Sequence, residues 1–72
     1  MDIRAMQYYL AVVREGTISA AAKALHVSQP SLSRQMKELE EELGAKLFVR
    51  GNRRITLTEE GMVLRKRAEE IV

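Results

Sequence analysis

Ile18-Ser19-Ala20-Ala21-Ala22-Lys23-Ala24-Leu25-His26-Val27-Ser28-Gln29-Pro30-Ser31-Leu32-Ser33-Arg34-Gln35-Met36-Lys37 is the stretch that decides the fold of this chain. Its first part places Ile18, Ala21, Ala22 and Leu25 at helical spacings of three, four and seven, and the alanines let a second backbone come close. His26-Val27-Ser28 reads as a tight turn, with Val27 pointing inward to set the angle between two helices. Ser28 is a suitable cap for the second helix. Pro30 falls in that helix's first turn, where a missing N–H does no harm. The second helix, 29–43, puts Leu32, Met36, Leu39 and Leu43 on one stripe and Pro30, Ser33, Arg34 and Lys37 roughly opposite. Two helices, a turn and a polar outer face make a helix-turn-helix, whose second helix has the size of the DNA major groove.

Outward from that unit the chain stays orderly. Before it, Ile3, Met6, Tyr9, Leu10 and Val13 share one side of a helix running from Ile3 to Glu15, with Tyr8 and Val12 off the stripe. Gly16 ends this helix, and Thr17 or Ser19 can cap the next. After it, Gly44 follows the last apolar residue of the 29–43 helix. Leu47-Phe48-Val49-Arg50 and Arg54-Ile55-Thr56-Leu57 are rich in strand formers around Gly51-Asn52-Arg53, a β-hairpin pattern. Thr58, Glu59 and Glu60 then suit the start of a last helix. On it, Gly61, Leu64, Ala68 and Ile71 recur at three, four and three, a short seam of coiled-coil type and a candidate dimer contact. The expected architecture is mainly α: a winged helix-turn-helix over 1–58, three helices plus a β-hairpin wing, followed over 59–72 by the start of a linker (dimerisation) helix. The seam is still running at the last residue, so the expectation is an N-terminal piece of a longer protein.

The bulk numbers narrow the class. A chain of 72 residues buries a marginal core, and with no cysteine it has neither disulfides nor thiolate metal sites. No apolar run approaches a membrane span, and Met1-Asp2-Ile3-Arg4 lacks the order of a signal peptide, so a cytoplasmic protein without membrane contact is expected. Net charge is only +2, but it is segregated. Ser28–Lys37 holds two bases and no acid, Glu38–Glu42 four acids and no base, and Leu43–Thr58 four bases and no acid. That suits a directed phosphate-facing surface better than a generally adhesive polycation.

The candidate chemistry is recognition, not catalysis. Gln29 can pair with adenine through two bonds, Ser33 can serve base edges or phosphate, and Arg34 can grip guanine bidentately or a phosphate. Lys37 suits the DNA backbone, Ser28 is first a cap, and Pro30 and Ser31 offer close contact near the groove floor. Glu38–Glu42 must rise out of the groove, which fixes the docking polarity. Acids at a helix C-terminus oppose its dipole, and pairing with Lys46 or Arg50 would offset that. On the wing, Arg53 at the tip suits the minor groove, and Arg50 and Arg54 suit phosphate. His26 stands alone and is a turn residue, not a metal ligand; no catalytic residues are expected, since the serines have no His–Asp partners. Tyr9 is core, and Tyr8 faces solvent or a phosphate. A rival class is a winged-helix protein-interaction module, supported by the acidic patch but lacking large apolar anchors on the outer face of the 29–43 helix.

The whole chain resembles the N-terminal DNA-binding domain of the LysR-type transcriptional regulators. The matching stretches are Gly16-Thr17-Ile18-Ser19-Ala20-Ala21-Ala22, Leu25-His26-Val27-Ser28-Gln29-Pro30-Ser31-Leu32-Ser33, Leu39-Glu40-Glu41-Glu42-Leu43-Gly44-Ala45-Lys46-Leu47-Phe48 and Leu57-Thr58-Glu59-Glu60-Gly61. Thr17-Ile18 stands where the family usually has Ser-Phe, and Tyr9 where it often has Phe; both keep the local role. The resemblance implies that Gln29, Pro30, Ser33 and Arg34 match DNA-touching positions. It also implies double-stranded DNA as partner, a linker helix that pairs two copies into a homodimer (tetramer formation in a full-length bacterial protein staying open), and a small-molecule effector bound by a C-terminal domain absent from this chain. No cofactor is implied for the fragment itself.

Overall fold

The structure is a computed structural model that describes residues 2–50 and 54–71. Four helices and a two-stranded antiparallel sheet follow in the order α1 (Ile3–Glu15), α2 (Ile18–Leu25), α3 (Gln29–Leu43), β1 (Phe48–Arg50), β2 (Ile55–Leu57) and α4 (Glu59–Ile71). Their ends follow local chemistry. Asp2, Thr17 and Ser28 are extended N-caps whose side-chain oxygens accept from Ala5, Ala20 and Ser31 N–H at 2.8, 3.0 and 3.2 Å. Thr58 Oγ1 does the same for α4, accepting from Gly61 N–H at 3.0 Å. Each such cap contributes about 1 kcal/mol. Gly16 and Gly44 close α1 and α3 in the left-handed region, at φ 86° and 70°. His26 closes α2 the same way, at φ 59°, a conformation few side chains other than glycine adopt.

The core gathers residues from all four helices and β1, with Tyr9, Val12, Leu32, Met36 and Leu47 fully enclosed. Tyr9 stands at its centre and donates its hydroxyl hydrogen to the Gly61 carbonyl at 2.7 Å, joining α1 to α4. A Cβ at Gly61 would overlap the Leu47 carbonyl oxygen, so only glycine lets α4 approach the root of the hairpin this closely. The hairpin pairs Phe48 with Leu57, Val49 with Thr56 and Arg50 with Ile55. Its second strand is strapped to the α1–α2 turn by Ile55 N–H donating to Gly16 C=O at 2.9 Å.

Several packing expectations are revised. The buried face of α1 is Met6, Tyr9, Ala11 and Val12, while Ile3 is exposed, because α2 covers one side of α1 and α4 another. Tyr8 is half-buried against the core, so it does not face solvent freely. Leu43, expected on the inner stripe of α3, is exposed at that helix's last turn. Leu64 and Ala68, expected as a dimer seam with Ile71, are buried in the domain itself because α4 folds back onto α1; only Ile71 of the three is exposed. Residues 59–68 therefore complete the core of the unit that precedes them.

Candidate nucleic-acid interface

The outer face of α3 follows from its inner one. Leu32, Met36 and Leu39 bury the helix, and this turns Pro30, Arg34 and Lys37 to solvent, while Gln29 is exposed as the first residue of α3. Two serines expected beside them differ. Ser31 is half-buried, and Ser33 is half-buried and already partnered. Ser28 is exposed with its hydroxyl engaged as the α3 cap. The outward set is thus an amide, a pyrrolidine ring and two cations, with the serines filling its flank.

Beside this face runs an open groove between α3 and β1, lined by Ser33, Arg34, Lys37, Glu40, Lys46 and the exposed Val49. It brings Lys46, from the connection between α3 and β1, beside the cations Arg34 and Lys37 of α3, with Glu40 between them. Arg54, expected on phosphate, is exposed, but its guanidinium lies against Gly16, where a Cβ would collide with it. It lies beside the turn that opens α2. Arg53 lies outside the described residues, as does the side chain of Arg50.

Charge reverses along α3. Glu38, Glu41 and Glu42 are exposed in its C-terminal half. Glu40 is different. Its Oε2 accepts from Leu47 N–H at 2.8 Å and its Oε1 lies 3.9 Å from Lys46 Nζ. The expected pairing with Lys46 is therefore present, though the shorter contact is with backbone. A sequence pattern of solvated glutamates gives no sign of that backbone contact. Among the described residues no three His, Cys, Asp or Glu side chains come together as a metal site, and no helix is long and apolar enough to cross a membrane.

Comparison with known proteins agrees with this geometry. The family described as bacterial regulatory helix-turn-helix protein, lysR family, matches residues 3–62. The HTH-type transcriptional regulator BsdA of Bacillus subtilis (strain 168) is 52% identical over 73 residues, covering 100% of this chain and 25% of BsdA. The HTH-type transcriptional activator IlvY of Salmonella typhimurium (strain LT2) is 46% identical over 70 residues, covering 97% of this chain and 24% of IlvY. The chain thus spans about a quarter of the length of these relatives. Among solved structures, the CbnR DNA-binding domain in complex with DNA matches 99% of this chain and 82% of its own at 45% identity and a TM-score of 0.93. The BenM DNA-binding domain on catB site 1 DNA matches 99% of this chain and 76% of its own at 42% identity, with a TM-score of 0.93. With its fold, the exposed cations on the N-terminal half of α3 and these relatives together, the chain belongs to the LysR family of bacterial helix-turn-helix transcriptional regulators, and it is a DNA-binding domain of that family rather than an enzyme.

Proposed function

We propose that the N-terminal half of α3 enters the major groove, with Gln29 and Arg34 on base edges, Pro30 in close contact and Lys37 on phosphate. Ser28, Ser31 and Ser33 approach the backbone at the flank of that helix. The wing arginines, Arg50, Arg53 and Arg54, serve the adjacent minor groove or its phosphates. What supports this reading most is that Pro30, Arg34 and Lys37 are exposed on the side of α3 opposite the buried Leu32, Met36 and Leu39, with Gln29 exposed at the helix's first residue. Arg34, Lys37 and Lys46 can neutralise phosphates, while the exposed Glu38, Glu41 and Glu42 stay clear of the duplex.

Two copies would read half-sites about 34–36 Å apart or a multiple of it. The exposed apolar side chains of α4, Met62, Val63 and Ile71, are the available surface for pairing in place of Leu64 and Ala68. In the longer protein, a cytoplasmic regulator, a further domain would bind a small-molecule effector; relatives about four times the length of this chain support that reading.

The test is an anisotropy titration against a duplex selected from a random pool and against a shuffled duplex of equal length, at several salt concentrations. Tighter binding to the selected duplex is expected, with log affinity falling linearly with log salt. Equal affinity for both duplexes would remove base reading, and a flat salt response would remove phosphate contact.

A further inference from the structure

The side chain of Glu40 is only 12% exposed, whereas its sequence neighbours Glu38, Glu41 and Glu42 are solvated. It reaches away from α3 to the two residues that open the wing, with Oε2 on Leu47 N–H at 2.8 Å and Oε1 toward Lys46 Nζ at 3.9 Å. The same two residues are gripped from the opposite side. Thr58 Oγ1 donates to the Lys46 carbonyl at 2.6 Å and Thr58 N–H to the Leu47 carbonyl at 3.1 Å. Thr58 in turn caps α4, and Gly61 accepts from Tyr9. The root of β1 is therefore clamped between α3 and the start of α4. β1 itself is only three residues long and pairs with a single partner strand, so the clamp, more than the sheet, sets its angle.

We infer that Glu40 is a positioning residue for DNA recognition: by holding the Leu47 N–H it fixes β1, which ends in Arg50, at a set distance from Arg34 and Lys37 on α3. This rests on the proposed reading of α3 and the wing as one DNA-binding face. Two cationic elements bind one duplex together with full effect only when their spacing is set beforehand, since otherwise the second contact must first be ordered. A charged acceptor also makes a shorter and stronger bond to a backbone N–H than a neutral one. Glu40 itself is an anion and gives nothing directly to a polyphosphate. Simple charge accounting therefore has its removal strengthen DNA binding; positioning has its removal weaken it.

That opposition of sign is the test. Glu40→Ala and Glu40→Gln are titrated with the selected duplex, well below the melting transition of each as followed by circular dichroism. Each is also combined with Arg50→Ala. Glutamine loses the charge and keeps an acceptor for Leu47 N–H. The expected result is that Glu40→Ala weakens binding roughly tenfold, about 1.4 kcal/mol, and lowers the salt slope by about one. Glu40→Gln should bind at least as well as the native chain. Arg50→Ala should cost several-fold in the native and Glu40→Gln chains and less than twofold in Glu40→Ala. Hydrogen exchange should show the Leu47 amide protected in the native and glutamine chains and open in the alanine chain. Equal strengthening by both substitutions, or an Arg50→Ala cost equal in all three backgrounds (none at all included), overturns the inference while leaving the DNA-binding reading intact. A native chain that binds no duplex overturns both.

Discussion

Gly61→Ala tests the packing logic of the domain most sharply, because two general rules disagree about it. Alanine in a helix interior is favoured over glycine by about 1 kcal/mol, partly because it restricts the unfolded chain. At Gly61 the added methyl overlaps the Leu47 carbonyl oxygen and sits 3.0 Å from the Tyr9 hydroxyl. The obstructing atom is backbone, held by Thr58 N–H at 3.1 Å, so it cannot swing aside. Helix α4 must move outward instead. Overpacking of this kind costs about 1–3 kcal/mol. The movement also stretches the 2.7 Å bond from Tyr9 to the Gly61 carbonyl, and a buried hydroxyl left without a partner costs about another 1–3 kcal/mol. Against the helical gain, the net is a loss of about 1–5 kcal/mol. In a domain this small, each kcal/mol lowers Tm by about 4–8 °C. Thermal and urea unfolding of Gly61→Ala beside the native chain measures it. A Tm equal to or above the native value would refute the reasoning, since it would mean that the contact between α4 and the wing root can relax at no cost.

Three further outcomes follow from single residues. Burial pushes the Tyr9 phenol up to about 12 from 10.0, with Glu40 adding to the rise and Arg65 opposing it. Below pH 10 the residue is protonated in both states. Between about pH 10 and 12 the unfolded chain releases a proton that the native one keeps, so stability should fall by on the order of 2–3 kcal/mol over that window. Tyr9→Phe should flatten this alkaline slope in urea melts at graded pH, and an unchanged slope would remove Tyr9 as its source. His26→Gly relieves the left-handed strain at φ 59° and should stabilise by up to about 1 kcal/mol once the extra freedom of the unfolded chain is set against it; a lower Tm would show that the imidazole contributes packing that the turn needs. Arg34→Ala should cost about 1–3 kcal/mol on the selected duplex and little on a shuffled one if it reads a base; an equal loss on both would make it a phosphate contact.

The elements are legible in the sequence because each carries its own punctuation. Asp2, Thr17, Ser28 and Thr58 are capping residues, and Gly16 and Gly44 end helices in the one conformation glycine takes freely. The cap at Asp2 is the one that sequence reasoning missed, though an aspartate just ahead of an apolar helical pattern is a sufficient signal. The outward direction of Arg34 and Lys37 is legible because Leu32, Met36 and Leu39 fix the opposite side by spacing alone. What spacing does not carry is which neighbour covers a helix. Val12 lies off the apparent stripe of α1 and is fully buried because three helices, α2, α3 and α4, pack against α1. Leu64 and Ala68 fit an intermolecular seam and an intramolecular one equally well, and only the return of α4 onto α1 decides between them. By charge alone, Glu40 reads as a surface group. Its hold on the wing root depends on residue 47 coming close to it in space, which no local pattern encodes.

The tyrosine hydroxyl that reaches across to Gly61 sets a lower limit on how the domain can be cut and transplanted. A chain truncated after the last strand would lose the roof over Tyr9 and Leu47 and would be expected to collapse or aggregate. Any chimera that joins this DNA-reading unit to a foreign sensor must therefore carry the helix at least through Ala68 and make its junction on the solvent side of that point.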